Sequence, residues 1–225
     1  ARRDAAVGAV VSMPGAAPRR APVPVFAPAG QSTQMIVGAD AADDRTLLAT
    51  SAQLYGAYRL RRVYYSAFSP IPDASRALPL AAPPLVREHR LYQADWLMRF
   101  YGFAHDEIVS ADSGMLALDI DPKLAWALAH RERFPVDLNR APKEMLLRVP
   151  GLGVKSVEKL LQARRLRTLR IDDVSRLNVP LKTLLPFITV PGASARSGLD
   201  DAGLAARLRP APRQQSLFDP EPAHA

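Results

Sequence analysis

The sequence predicts a mixed fold, α/β plus all-α: a partial parallel βαβ layer followed by a helical domain. Three observations carry that expectation. A short apolar run, an amphipathic helical stretch and a β-branched and aromatic run follow one another over residues 33–68. Apolar spacing is helical throughout from residue 85 onward. Between the two blocks, residues 70–84 hold five prolines, which suit neither helix interiors nor central strands.

The order of elements follows from local chemistry. Residues 1–30 contain nine Ala, five Pro and three Gly, with no sustained period, and read as a disordered tail. Thr33 to Gly38 is an apolar run closed by glycine, as a buried strand requires. From Asp43-Asp44 the period becomes helical. Leu47, Leu48, Ser51, Leu54, Tyr55 and Tyr58 share one face, and the two aspartates favour the positive end of the helix dipole. Val63 to Phe68 supplies the second strand and closes a unit spanning residues 31–69. A strand–helix–strand unit of this length suits a right-handed crossover with parallel strands. Two such strands need a larger sheet, which the following chain does not provide.

After the extended connector, residues 85–190 read as the helical domain. Leu85, His89, Tyr92, Trp96 and Phe100 recur at helical spacing, with His89 expected in the core. Asp121-Pro122 is a capping residue followed by proline at the first helical position, opening a helix to about Arg131. Residues 191–225 resemble the amino-terminal tail in composition and are expected to be disordered.

Composition narrows the function classes. The 225 residues are 48% apolar and 23% charged, enough for a packed core. There is no cysteine, which excludes a disulfide framework, a thiolate metal site and a cysteine nucleophile. Thirty Lys and Arg against 22 Asp and Glu give a net charge of +8, which attracts polyanions. No apolar run approaches the ~18 residues of a membrane span, and no leader pattern stands at the start. A soluble, cytoplasmic protein is therefore expected. The first residue, Ala1 rather than Met, leads us to expect part of a longer product.

Residues 136–165 carry the most information. Asn139 is placed to cap a short helix ending at Arg148, Val149 to Val154 form a tight apolar turn, and a second helix runs from Lys155 to Arg165. Gly151 and Gly153 lack Cβ, so the turn can take positive φ and let a phosphate approach the main chain. The second helix starts at that spot, adding its unpaired amides and dipole. This stretch resembles the helix-hairpin-helix motif of DNA repair and competence proteins, which holds a backbone phosphate. The candidate phosphate contacts are Gly151, Gly153, Val154 and Lys155, with Lys159, Arg164 and Arg165 widening the positive field. Residues 131–170 hold 11 Lys and Arg against four Asp and Glu, nearly the whole surplus of charge.

Other candidates carry less. Gln214-Gln215-Ser216-Leu217-Phe218 resembles the pentapeptide by which bacterial replication and repair proteins bind the sliding clamp, with Gln214, Leu217 and Phe218 as its contacts. His105, Asp106, Glu107, Asp112, Asp119 and Asp121 fit no ligand spacing and read as caps or solvated loops, so no metal site is expected. Tyr64 and Tyr65 read as packing residues rather than base-stacking platforms.

The wider chain carries a second resemblance. Ala27 to Gly38, Arg61 to Phe68 and Arg87 to Leu97 are similar to the corresponding stretches of the DNA modification/repair radical SAM proteins, over about residues 25–190. Genes of that family often accompany a uracil-DNA-glycosylase-like partner. The resemblance implies that residues 31–69 are the end of a radical SAM barrel, followed by the helix-hairpin-helix. It implies a [4Fe–4S] cluster and S-adenosylmethionine for the intact family. The family's CxxxCxxC motif is absent here, so this chain ligates neither and is expected to be inactive alone. On barrel geometry, Gly38, Ser66 and Ser69 lie where such folds place cofactor or substrate, or else are ordinary turn residues. The expected function is non-sequence-specific DNA holding by the C-terminal part of such a protein. The alternatives are a non-catalytic adaptor joining DNA to the clamp and a hairpin that contacts only protein.

Overall fold

The computed structural model describes residues 27–72, 75, 77–109, 112–193 and 198–209. The chain divides into two units, residues 1–30 and 31–225, and every helix and strand described belongs to the second. Its architecture is mixed helix and sheet, with two small parallel sheets and nine α-helices among the described residues.

The first sheet is the crossover unit. Strand β1 (Ser32–Val37) leads to helix α1 (Asp44–Tyr58) and then to β2 (Arg62–Ala67), which pairs with β1 in parallel from Ser32↔Arg62 to Val37↔Ala67. Asp43 caps α1 by accepting from the Thr46 amide at 2.8 Å. Asp44 is fully buried instead of lying along the helix surface. It takes the Arg87 Nε–H at 2.7 Å and the Leu116 amide at 2.9 Å, so its charge is matched without water. Tyr65 is buried with its hydroxyl 2.7 Å from Ser51 Oγ, whereas Tyr64 is 42% exposed beneath the Arg62 guanidinium. Gly38 takes a φ of +78°, and a Cβ there would meet the Pro83 ring at 2.9 Å, so it is a turn residue against the connector. Ser66 accepts from the Gln34 carboxamide at 2.6 Å, and Ser69 is exposed.

Helix α2 (Leu85–Tyr101) turns its expected face outward. Leu85, Trp96 and Phe100 are 70%, 51% and 44% exposed, and His89 is exposed rather than in the core. The buried side is Arg87, Leu91, Ala94, Asp95 and Leu97. Two charges can sit there because both are paired: Arg87 with Asp44, and Asp95 with the Tyr55 hydroxyl at 2.6 Å and Arg99 at 3.5 Å. Burial nonetheless raises the Asp95 carboxyl above its ordinary range, against its hydrogen bonds, and pushes the Tyr55 phenol to about 12.

Next come α3 (His105–Ile108) and α4 (Pro122–Ala129). Asp121 caps α4 through the Leu124 amide at 3.0 Å, as its sequence predicts. Strand β3 (Val136–Asp137) pairs in parallel with β4 (Ile188–Thr189), a two-residue sheet inside the block expected to be all helical. Between them lie the hairpin helices α5 (Lys143–Arg148) and α6 (Val154–Ala163), then α7 (Ile171–Ser175) and α8 (Leu181–Leu184). Asn139 does not cap α5. Its carboxamide accepts from the Leu169 amide at 2.7 Å and donates to the Leu169 carbonyl at 3.2 Å, lacing the chain before the hairpin to the chain after it. Part of the expected carboxyl-terminal tail is also ordered. Helix α9 (Leu204–Leu208) buries Leu204, and Arg209 pairs with Asp119 at 2.9 Å. One continuous core runs from Val37 to Leu204, through both the crossover unit and the hairpin.

Candidate functional site

The hairpin is built by its apolar residues. Leu146, Leu147, Val149, Leu152, Val157 and Leu160 are buried, which fixes α5 against α6 and forces a tight reversal between them. Gly151 makes the reversal with a φ of +83°, a left-handed conformation that favours glycine. Gly153 does not need that freedom. Its φ of −87° and ψ of 164° are those of an extended cap at the start of α6.

The amides around this turn divide into two sets. Leu152 donates to the Val149 carbonyl at 3.2 Å, and Val157 to the Gly153 carbonyl at 2.9 Å. The Val154 amide, expected to meet phosphate, acts on the Tyr101 hydroxyl and draws its titration down. The amides of Gly151, Gly153, Lys155 and Ser156 have no hydrogen-bond partner among the described residues. Such groups at a helix start seek an acceptor and favour an anion.

Two side chains outside the hairpin hold the turn. Lys123 of α4 is 7% exposed, donates from Nζ to the Leu152 carbonyl at 2.6 Å and lies 4.5 Å from the centre of the Tyr101 ring. Burial pulls its ammonium down to about 7, opposed by the Asp121 charge. Burial likewise pushes the Tyr101 phenol up, opposed by the Val154 amide. Sequence reasoning did not single out either residue. A signal for Lys123 was present, since it is the lone charge in the helix Pro122-Lys123-Leu124-Ala125-Trp126-Ala127-Leu128-Ala129. Tyr101 gave none, because its partner lies across the fold.

The turn faces a cavity of about 460 Å³, with Trp96 and Tyr101 of α2, Lys123 of α4 and Thr183 of α8 among its other walls. Arg90 also lines it, but its guanidinium is held by the Leu118 carbonyl at 2.9 Å and the Gln93 side-chain oxygen at 2.8 Å.

The predicted cations separate in the same way. Lys155, Lys159 and Arg165 are exposed and have no ion-pair partner among the described residues. Lys155 and Lys159 stand one helical turn apart on the outer side of α6. Arg164 is tied inward, donating to the Ala141 carbonyl at 2.6 Å and the Leu138 carbonyl at 3.3 Å. Arg148 is also held, by Glu107 at 2.9 Å beneath the Phe103 ring.

Glu107 and Asp121 act as caps, and no group of three or more metal-ligating side chains occurs among the described residues. Gln214, Leu217 and Phe218 lie outside the described residues. None of the described helices is long and apolar enough to cross a membrane. No family model, curated protein or solved structure matches this chain.

Proposed function

We propose that residues 131–190 hold the sugar-phosphate backbone of DNA without reading its sequence, as the DNA-binding part of a radical SAM-like DNA modification or repair protein. One observation carries the reading: the amides of Gly151 and Gly153 in the turn, and of Lys155 and Ser156 in the first turn of α6, have no partner among the described residues, and the Lys155 side chain of the same stretch is exposed. A phosphate oxygen is the acceptor that such groups suit, because amide donors and a nearby cation act on the same charge. Lys159 and Arg165 extend the positive field beyond the turn. A single turn meets only a phosphate or two, so the attraction is modest and falls with salt.

The chain has no cysteine, so its residues do not fit a thiolate-held [4Fe–4S] cluster, and holding DNA is the role proposed for it. Backbone contacts position a protein on the duplex and carry no sequence information. Anisotropy titrations of two unrelated duplexes of equal length, at low salt, test this. Equal affinities are expected. A strong preference for one duplex, or no binding to either, overturns the reading.

A further inference from the structure

The cavity beside the turn has features that holding a phosphate does not use. Trp96 is 51% exposed and packs against Phe100 with ring centres 4.6 Å apart, so one aromatic ring braces another at the cavity wall. Large aromatic rings left half in water suit stacking partners, and every nucleobase offers a flat face for one. Polar groups suited to a base edge line the same space. The Gln93 side-chain oxygen is engaged by Arg90, which leaves its NH₂ group to donate, and the Thr183 hydroxyl can donate or accept. Gly151 and Gly153 form another wall, so the hairpin turn and a ring suited to a base border one space. At about 460 Å³ the cavity falls within the size range of small-molecule sites.

We propose that this cavity receives one unstacked nucleotide of the bound strand, its base against the Trp96 indole and its phosphate at the hairpin turn. This rests on the DNA-holding reading and adds the form of DNA preferred: one with a base already out of the stack. Extracting a paired base costs stacking and pairing energy, whereas a bulged or unpaired base largely escapes that cost. The outward turn of α2 then has a use, because it brings the ring that a core helix would have buried to the cavity wall.

The experiment compares one duplex with and without a single bulged adenine. The bulged form is expected to bind at least about fivefold more tightly, the low end of stacking on one aromatic side chain. It should also quench tryptophan emission in the native protein but not in Trp96→Ala, where only the buried Trp126 remains. Trp96→Ala should lose the preference and keep its affinity for the fully paired duplex, and Trp96→Phe should restore part of the preference. Equal binding of the two duplexes by the native protein overturns the inference, as does a preference that survives Trp96→Ala. Either result, with paired-duplex binding intact, leaves the hairpin reading standing. If neither duplex binds, both fall.

Discussion

Lys123 Nζ donates to the Leu152 carbonyl at 2.6 Å, and one residue beyond Gly153 the Val154 amide acts on the Tyr101 hydroxyl. The two contacts grip the turn on either side of Gly153. They come from α4 and α2, so the turn is set by the helices packed against it as well as by its own glycines. A loop held from outside loses less entropy on meeting a ligand.

The Lys123 contact gives stability a pH dependence of definite sign. The folded ammonium titrates at about 7 and the unfolded one at its ordinary 10.5. Between those values the unfolded chain holds a proton that the folded chain lacks, so stability rises with pH across that window. Below about 7 both states are charged and the cost of burying the ammonium is fully present. Lys123→Met keeps most of the stem and removes the charge. From about pH 7 to about pH 9.5 the native protein's urea midpoint should rise relative to the variant's. Parallel curves would contradict the assignment.

The same charge should couple DNA binding to protons. A phosphate at the turn favours the charged form of Lys123, with Asp121 already doing so. Binding should therefore take up a proton, and duplex affinity should fall between about pH 6 and about pH 8.5 more steeply for the native protein than for Lys123→Met. Isothermal titration calorimetry in buffers of differing ionisation enthalpy measures the uptake. Equal uptake by both proteins would count against a phosphate near Lys123.

The two glycines of the turn should behave differently. Gly151→Ala forces a side chain into a φ of +83° and sets its Cβ 3.2 Å from Pro180, so a loss of about 1–2 kcal/mol is expected in denaturant unfolding. At Gly153 the backbone is extended and the nearest neighbour, the Tyr101 hydroxyl, lies 3.8 Å from an added Cβ. Gly153→Ala should cost less, below about 1 kcal/mol, the difference between glycine and alanine at a helix cap. Equal losses at the two positions would show that the turn geometry is misassigned.

Much of the first half is legible in the sequence because its signals are local. Asp43 and Asp121 sit next to the amides they cap, and the β-branched run at Val63 sits beside the helix that carries it across the sheet. What misleads comes from distant partners. The face of α2 is inverted because Asp44 and Tyr55, 43 and 40 residues away by chain, make Arg87 and Asp95 tolerable inside. Asn139 has the chemistry of a cap, yet its carboxamide is taken by Leu169, which no spacing rule indicates. The hairpin turn is visible in its Pro-Gly-Leu-Gly pattern. Its clasp is not, since Tyr101 and Lys123 meet it only through tertiary packing.

The inverted face of α2 makes a prediction of its own. Arg87→Ala leaves the fully buried Asp44 carboxylate without its cation, a change that costs about 3–5 kcal/mol for buried pairs. The urea midpoint should fall accordingly. A loss below about 1 kcal/mol, typical of surface pairs, would mean that the pair is open to water.

The salt dependence of duplex affinity tests most directly the claim that the turn of α5 and α6 grips a phosphate. Over about 50–200 mM salt, the slope of log affinity against log salt should be shallower in Lys155→Ala by about one, with affinity reduced alike on every sequence. A folded Lys155→Ala protein with the native slope and the native affinity would contradict it.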